Sequence, residues 1–99
     1  MTKDELIAKL QKHGGWVPGR RIRLDFGSDG SALIDGAVGT VSDQSGPADT
    51  TIGISWTDWL SLSEGRLDPM SAYMSGRLRV AGDISDAVKL GGILQKLKG

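Results

Sequence analysis

Hydrophobic positions fall at helical spacing at both ends of the chain and at alternate positions through the middle. From Asp4 to Lys12, Leu6, Ile7 and Leu10 make one apolar stripe, which predicts a short helix. Thr2 stands as its N-cap, with Glu5 three residues on as in a capping box, and Gly14-Gly15 stop it. Arg20 to Phe26 then alternates. Ile22, Leu24 and Phe26 face one way, and Arg21, Arg23 and Asp25 face the other, as in a strand with one wet face. Gly27 to Gly30 reads as a turn, Ser31 to Asp35 as a second strand, Asp35-Gly36 as a hairpin signal, and Val38 to Ser42 as a third strand. A loop follows from Asp43 to Asp49, and Thr50 to Trp56 alternates again through Ile52, Ile54 and Trp56. Thr57 or Asp58 can cap a short helix carrying Trp59, Leu60 and Leu62, ended by Gly65. Asp68-Pro69 opens another, with Met70, Tyr73 and Met74 at i, i+3 and i+4 and Gly76 closing it. Arg77 to Ala81 alternates, with Leu78 and Val80 inward, and a last helix begins at Ile84. Strands followed by helices predict an α+β fold whose helices cover one sheet face.

The last helix carries more apolar surface than one core contact needs. Ile84, Ala87 and Val88 form one stripe, and Leu90, Ile93, Leu94 and Leu97 another. Together they exceed the roughly 100° arc of an ordinary surface helix. Either Gly91-Gly92 breaks the segment so that both halves reach one core, or apolar surface is left for a partner chain or an apolar ligand. Two glycines at about 1 kcal/mol each weaken the helix, which suits a movable lid. Trp59, Leu60, Leu62, Met70, Tyr73 and Met74 crowd the two short helices before it. They read as ordinary core or as the wall of a cavity, where methionine adapts to varied shapes.

Composition narrows the classes. The chain has 99 residues, read as one domain over 1–99, with 12 Lys plus Arg against 12 Asp plus Glu. That balance excludes a strongly basic nucleic-acid footprint. No cysteine is present, so disulfides, thiol nucleophiles and Cys-ligated zinc are excluded. No apolar run approaches the roughly 18 residues of a membrane span, and Met1 to Asp4 lacks the apolar core of a secretory signal. The default location is cytoplasmic. His13 is the only histidine, which leaves no metal set and no Ser-His-Asp triad. Neither a nucleophile elbow nor a phosphate-binding glycine loop occurs in strand–helix context. Asp25 and Asp35, on adjacent strands, could do acid–base work only if buried together, and the pattern sets one on the wet face and one at a turn. Arg20, Arg21 and Arg23, with Arg77 and Arg79 on a neighbouring strand, read as a solvated sheet face or as a docking patch for anionic lipid head groups.

From Ala48 to Leu97 the chain resembles the sterol carrier protein type 2 family, the lipid-binding domain of that name. The resemblance runs through Ala48-Asp49-Thr50-Thr51-Ile52, through Leu60 to Pro69, through Ala72 to Asp83 with its Gly76 and its Gly82-Asp83, and through Ala87-Val88-Lys89-Leu90. It covers roughly half of the chain, in order and at matching spacing. It implies a mixed, mainly antiparallel five-stranded sheet, covered on one face by helices, with an apolar tunnel between them. Tunnel residues carried over by position are Trp59, Leu60, Met70, Tyr73, Met74, Leu78, Val88, Leu90, Ile93 and Leu94. No metal, cofactor or catalytic residue is implied. The N-terminal helix is shorter than usual for the family, and Leu97-Lys98-Gly99 is not a peroxisomal Ser-Lys-Leu address, so a stand-alone or bacterial-type member is expected. Trp56 and Trp59 would narrow the tunnel toward a single acyl chain.

The expected function is therefore non-enzymatic lipid binding and transfer, with a fatty acid, acyl-CoA, sterol-like or isoprenoid guest and transient contact with a membrane surface. The competing reading is an interaction module, a homodimer included, that uses the C-terminal apolar face within a lipid-related pathway.

Overall fold

The computed structural model describes residues 2–43 and 46–97, the side chains of Ser63 and of 94–97 excepted. Helix α1 (Lys3–Lys12) starts where the sequence places it. The Thr2 hydroxyl accepts from the Glu5 N–H at 3.2 Å, acids occupy the first turn and lysines the last. Its stripe buries Leu6 and Leu10. The chain then crosses under the coming hairpin, where Gly36 N–H donates to the Arg20 carbonyl at 2.8 Å and Gly19 N–H to the Gly36 carbonyl at 3.0 Å. A Cβ on Gly36 would lie 1.7 Å from the Val17 oxygen, so only glycine allows this approach.

Five strands follow the alternation. β1 (Arg21–Asp25), β2 (Ser31–Asp35), β3 (Thr40–Ser42), β4 (Thr50–Ile54) and β5 (Leu78–Ala81) form one sheet in the order β3-β2-β1-β4-β5. β1 pairs antiparallel with β2, Ile22 opposite Ile34; β2 with β3, Ile34 opposite Val41; and β4 with β5, Ile52 opposite Val80. β1 and β4 run parallel, Leu24 beside Ile52. The inward residues thus line up across all five strands, and the opposite face carries Arg21, Arg23, Asp25, Thr51 and Arg79.

Four strands are shorter than the alternation predicts: β1 lacks Arg20 and Phe26, β5 lacks Arg77, and β3 and β4 each lack two residues at one end. β3 starts at Thr40 and not Val38, because the Asp35 carboxylate accepts from Ala37 N–H at 2.9 Å and the Asp35 carbonyl from Gly39 N–H at 2.9 Å. These bonds spread the hairpin turn over residues 36–39 and leave Val38 exposed. β4 ends at Ile54, since the Ser55 hydroxyl accepts from Asp58 N–H at 3.1 Å and starts helix α2 (Trp56–Ser63). Ser55, and neither Thr57 nor Asp58, is the cap, which moves Trp56 from strand to helix.

Helix α3 (Pro69–Met74) begins as its sequence signal says. Asp68 accepts from Ser71 N–H at 2.9 Å, and Pro69, which has no N–H to leave unpaired, takes the first helical position. Helix α4 (Ile84–Leu97) continues unbroken through Gly91-Gly92. All four helices lie on the inward face, α1 toward β3, α3 and α4 toward β5. Between them Phe26 meets Trp56 edge to face at 5.0 Å and Trp59 at 5.7 Å.

Candidate functional site

The N-terminus of α4 is tied into the sheet by charge. Asp86 is buried, and Arg20 grips it through Nε at 3.1 Å to both oxygens and Nη2 at 2.8 Å to Oδ2. The buried Thr50 hydroxyl donates to the same carboxylate at 2.7 Å and accepts from Asp83 N–H at 3.1 Å. The hydrogen bonds from Arg20, and then that from Thr50, hold the Asp86 carboxyl below its ordinary range against the opposing effect of burial. Asp83 is lowered as well, chiefly by the hydroxyl and N–H of Ser85, at 2.8 and 2.9 Å. These bonds fix where α4 leaves β5.

Beyond that tie, α4 sinks Leu90 into the core but leaves its side toward α3 and β5 partly open. Its face at Ile84, Ala87, Val88 and Gly91 follows helical spacing and ends in small side chains. A groove of about 120 Å3 opens between α3, β5 and α4, walled by Pro69, Met70, Tyr73, Leu78, Val80, Ile84, Ala87 and Val88. A smaller space of about 40 Å3 lies between α2, β4, α3 and α4, walled by Ile52, Trp59, Leu62, Pro69, Leu78, Ala87, Leu90 and Gly91. Pro69, Leu78 and Ala87 border both spaces, so the outer groove and the inner one share part of a wall. At the mouth, Met70 is 60% exposed and Val88 62%.

Of the residues carried over from the resemblance, Trp59 and Leu90 line the inner space, Leu78 both, and Met70, Tyr73 and Val88 the outer groove. Leu60 on α2 and Ile93 on α4 are half-buried and line neither. Met74 is 77% exposed, outside both. The Leu94 side chain lies outside the described residues. The residues carried over left out Ile52, Pro69, Val80, Ile84, Ala87 and Gly91; Leu62 was read from the helix pattern as core or cavity wall, and it lines the inner space. Of the omitted ones Ala87 and Gly91 carry little or no side chain to signal a wall, and Ile52 and Val80 read as ordinary inward strand positions.

The other candidates resolve simply. Asp25 stands opposite Ser31 and Asp35 opposite Arg21, so the two carboxylates sit at opposite ends of the β1–β2 pair. Asp25 accepts from Gly27 N–H at 2.9 Å, and Asp35 from Ala37 N–H and, at 3.3 Å, from Arg21 Nε. Arg20 is engaged by Asp86 and Arg21 by Asp35, which breaks up the basic cluster. His13 is exposed at the end of α1. Among the described residues no three His, Asp or Glu side chains gather to hold a metal ion, and no helix is long and apolar enough to cross a membrane.

The model of one family, the SCP-2 sterol transfer family, matches residues 4–95. The chain belongs to the SCP-2 sterol transfer family. Among curated SCP-2 relatives, it is 32% identical over 74 residues to hydroxysteroid dehydrogenase-like protein 2 of Bos taurus, covering 75% of this chain and 16% of that protein. It is 33% identical over 67 residues to sterol carrier protein 2 of Rattus norvegicus, covering 65% of this chain and 12% of that one. The chain thus spans under a fifth of either protein. In structure it is similar to sterol carrier protein 2 of Aedes aegypti in complex with the C16 fatty acid palmitate, at TM-score 0.76 and 15% identity, with 93% of each chain covered. The SCP-2 fold accounts for the five-stranded mixed sheet with helices on one face; its one parallel pair, β1 with β4, leaves it mainly antiparallel.

Proposed function

We propose that this chain binds a single-chain lipid between α3, β5 and α4 and transfers it. The observation that carries the reading is the groove itself. Its walls are carbon side chains, with the Tyr73 hydroxyl the one polar side-chain group of the outer part, and its rim leaves Met70 and Val88 in water. Each methylene buried there contributes about 0.8 kcal/mol, so a chain of moderate length gains useful affinity without a directional contact.

The dimensions favour a thin guest. Ligand sites usually enclose about 300–1,000 Å3, and the two spaces here are smaller. Trp59 lines the inner space, whereas Trp56 lines neither, and both rings pack edge to face on Phe26. A single acyl chain, as with the palmitate of the Aedes aegypti relative, enters once Ala87 and Leu78 part and the outer groove joins the inner. The Gly91-Gly92 pair lowers the cost of bending α4 to that end. In this reading Met70, Met74 and Val88 touch a lipid surface during loading, and the protein works from the cytoplasm without catalysis. A second copy over the same rim would block the guest's route, so dimerisation forms no part of it.

A fluorescent fatty acid should bind saturably in the micromolar range and be displaced by palmitate. Val88→Asp, at an exposed wall position, should weaken binding roughly tenfold, which is 1.4 kcal/mol. The absence of saturable binding across several chain lengths would refute the reading.

A further inference from the structure

Among the described residues, six large apolar side chains stand exposed: Val38, Met70, Tyr73, Met74, Ile84 and Val88. Met70, Tyr73, Ile84 and Val88 wall the same outer groove, and Met74 lies one helical turn from Met70 on α3. Five of the six therefore gather at one mouth, and only Val38, in the turn between β2 and β3, lies elsewhere. Single exposed apolar side chains need no explanation, but a contiguous group of them marks a contact surface.

The uncommitted charge around this mouth is positive. Lys89 follows Val88 on α4, and Arg77 stands just past the end of α3, at the free sheet edge that β5 forms. Both are exposed, and neither is in an ion pair among the described residues. The acids nearby are taken up. Asp68 accepts from Ser71 N–H, Asp83 from the N–H and hydroxyl of Ser85, and buried Asp86 from Arg20 and Thr50.

We propose that this α3–α4 rim docks on an anionic bilayer, with Met70, Met74 and Val88 entering the apolar layer and Arg77 and Lys89 meeting acidic head groups. The inference rests on the lipid-binding reading above and deepens it, since it names the leaflet that supplies and receives the guest. A protein sealed over the mouth would block the guest's path, whereas a bilayer opens that path into its own acyl chains. Basic residues near an anionic surface each add to the attraction. Val38 lies by β3, at the sheet edge opposite β5, and stays in water.

The chain has no cysteine, so one introduced cysteine carries an environment-sensitive dye at a unique place. Labelled Met74→Cys and Val38→Cys are titrated with vesicles of phosphatidylcholine alone and of phosphatidylcholine mixed equally with phosphatidylglycerol. The dye at 74 should shift to the blue on the mixed vesicles, and the dye at 38 should not. Partition should be at least about tenfold stronger on the mixed vesicles, and Arg77→Gln with Lys89→Gln should remove that preference. The double variant should keep its fatty-acid affinity in vesicle-free buffer within about threefold, because neither residue lines the groove. All four substituted positions are exposed, so the core is untouched. Equal partition on the two vesicles, a preference that survives the double substitution, or a response at 38 equal to that at 74 would overturn the inference. A dimer in sedimentation, with the dye at 74 shielded before vesicles are added, would overturn it in favour of a second copy on the rim. Saturable fatty-acid binding in buffer without vesicle docking would overturn this inference alone; no saturable binding in buffer would overturn the lipid reading and the inference together.

Discussion

At residue scale the groove owes its existence to Ala87 and Gly91, one turn apart on α4. A methyl group added at Gly91 would meet Pro69 Cγ at 3.9 Å, an ordinary contact made inside the inner space, whereas one at Gly92 would meet nothing within 4 Å. Either Gly→Ala change removes the helix penalty of glycine, up to about 1 kcal/mol. Both variants should melt higher than the parent in thermal scans. Gly92→Ala should slow loading and leave the equilibrium fatty-acid affinity within about threefold, while Gly91→Leu should reduce that affinity at least about tenfold in the same titration. Equal losses at 91 and 92 would show that stiffening α4, and not filling the space, governs binding. The periodicity of α4 was plain from Ile84, Val88 and Leu90. Its missing side chains were not, because a pattern of apolar residues records what fills a core and passes over what leaves it open. Met74 shows the converse: its spacing matches Met70 and Tyr73, yet at the last position of α3 it is 77% exposed and lines neither space.

At the scale of elements, α4 is held by Arg20, Thr50 and Asp86, three residues that no local pattern connects. Asp86 titrates below its ordinary value, with Arg20 and Lys89 favouring its charge and Asp83 nearby. The unfolded chain then binds more protons than the folded one as the medium is acidified. Stability from this group is complete above the ordinary carboxylate range near pH 3.9 and is lost as pH falls through the lower folded value. Asp86→Asn should cost about 1–2 kcal/mol at neutral pH, below the range for a fully buried pair because Arg20, the charge left behind, is partly wet. The deficit should shrink in strong acid, as measured by denaturant unfolding across pH; a deficit independent of pH would contradict the assignment. Local signals were the readable part. The caps at Thr2 and Asp68-Pro69 stand where the sequence puts them, since they act within one turn. The Ser55 cap was obscured because Trp56 continued the alternation of Ile52 and Ile54. The parallel pairing of β1 with β4 left no trace, since alternation states which face is buried and not which way the neighbour runs.

On the scale of the whole molecule the two sheet faces are divided in labour. One carries every helix and the groove; the other carries Arg79 exposed and Arg23 half-buried, with Arg21 paired to Asp35. Charge reversal at Arg23 and Arg79 should therefore leave fatty-acid affinity unchanged, because the sheet separates them from the groove. A large loss in the same titration would show that the bare face contributes to the site. The α+β layering, the one-sided helices and the wet face were legible from alternation alone. The place where two layers fail to meet was not, because it depends on the angle at which α4 leaves β5.

That angle traces back to a distant glycine. Gly36 holds the backbone of Arg20, and Arg20 holds Asp86 at the head of α4, so a turn near β3 sets the aperture at the opposite end of the sheet. One methyl group at residue 36 would collide with Val17 and push Arg20 out of line, slackening a helix that Gly36 does not itself hydrogen-bond. Through that one arginine, a backbone position far from the lipid's entrance is mechanically joined to it.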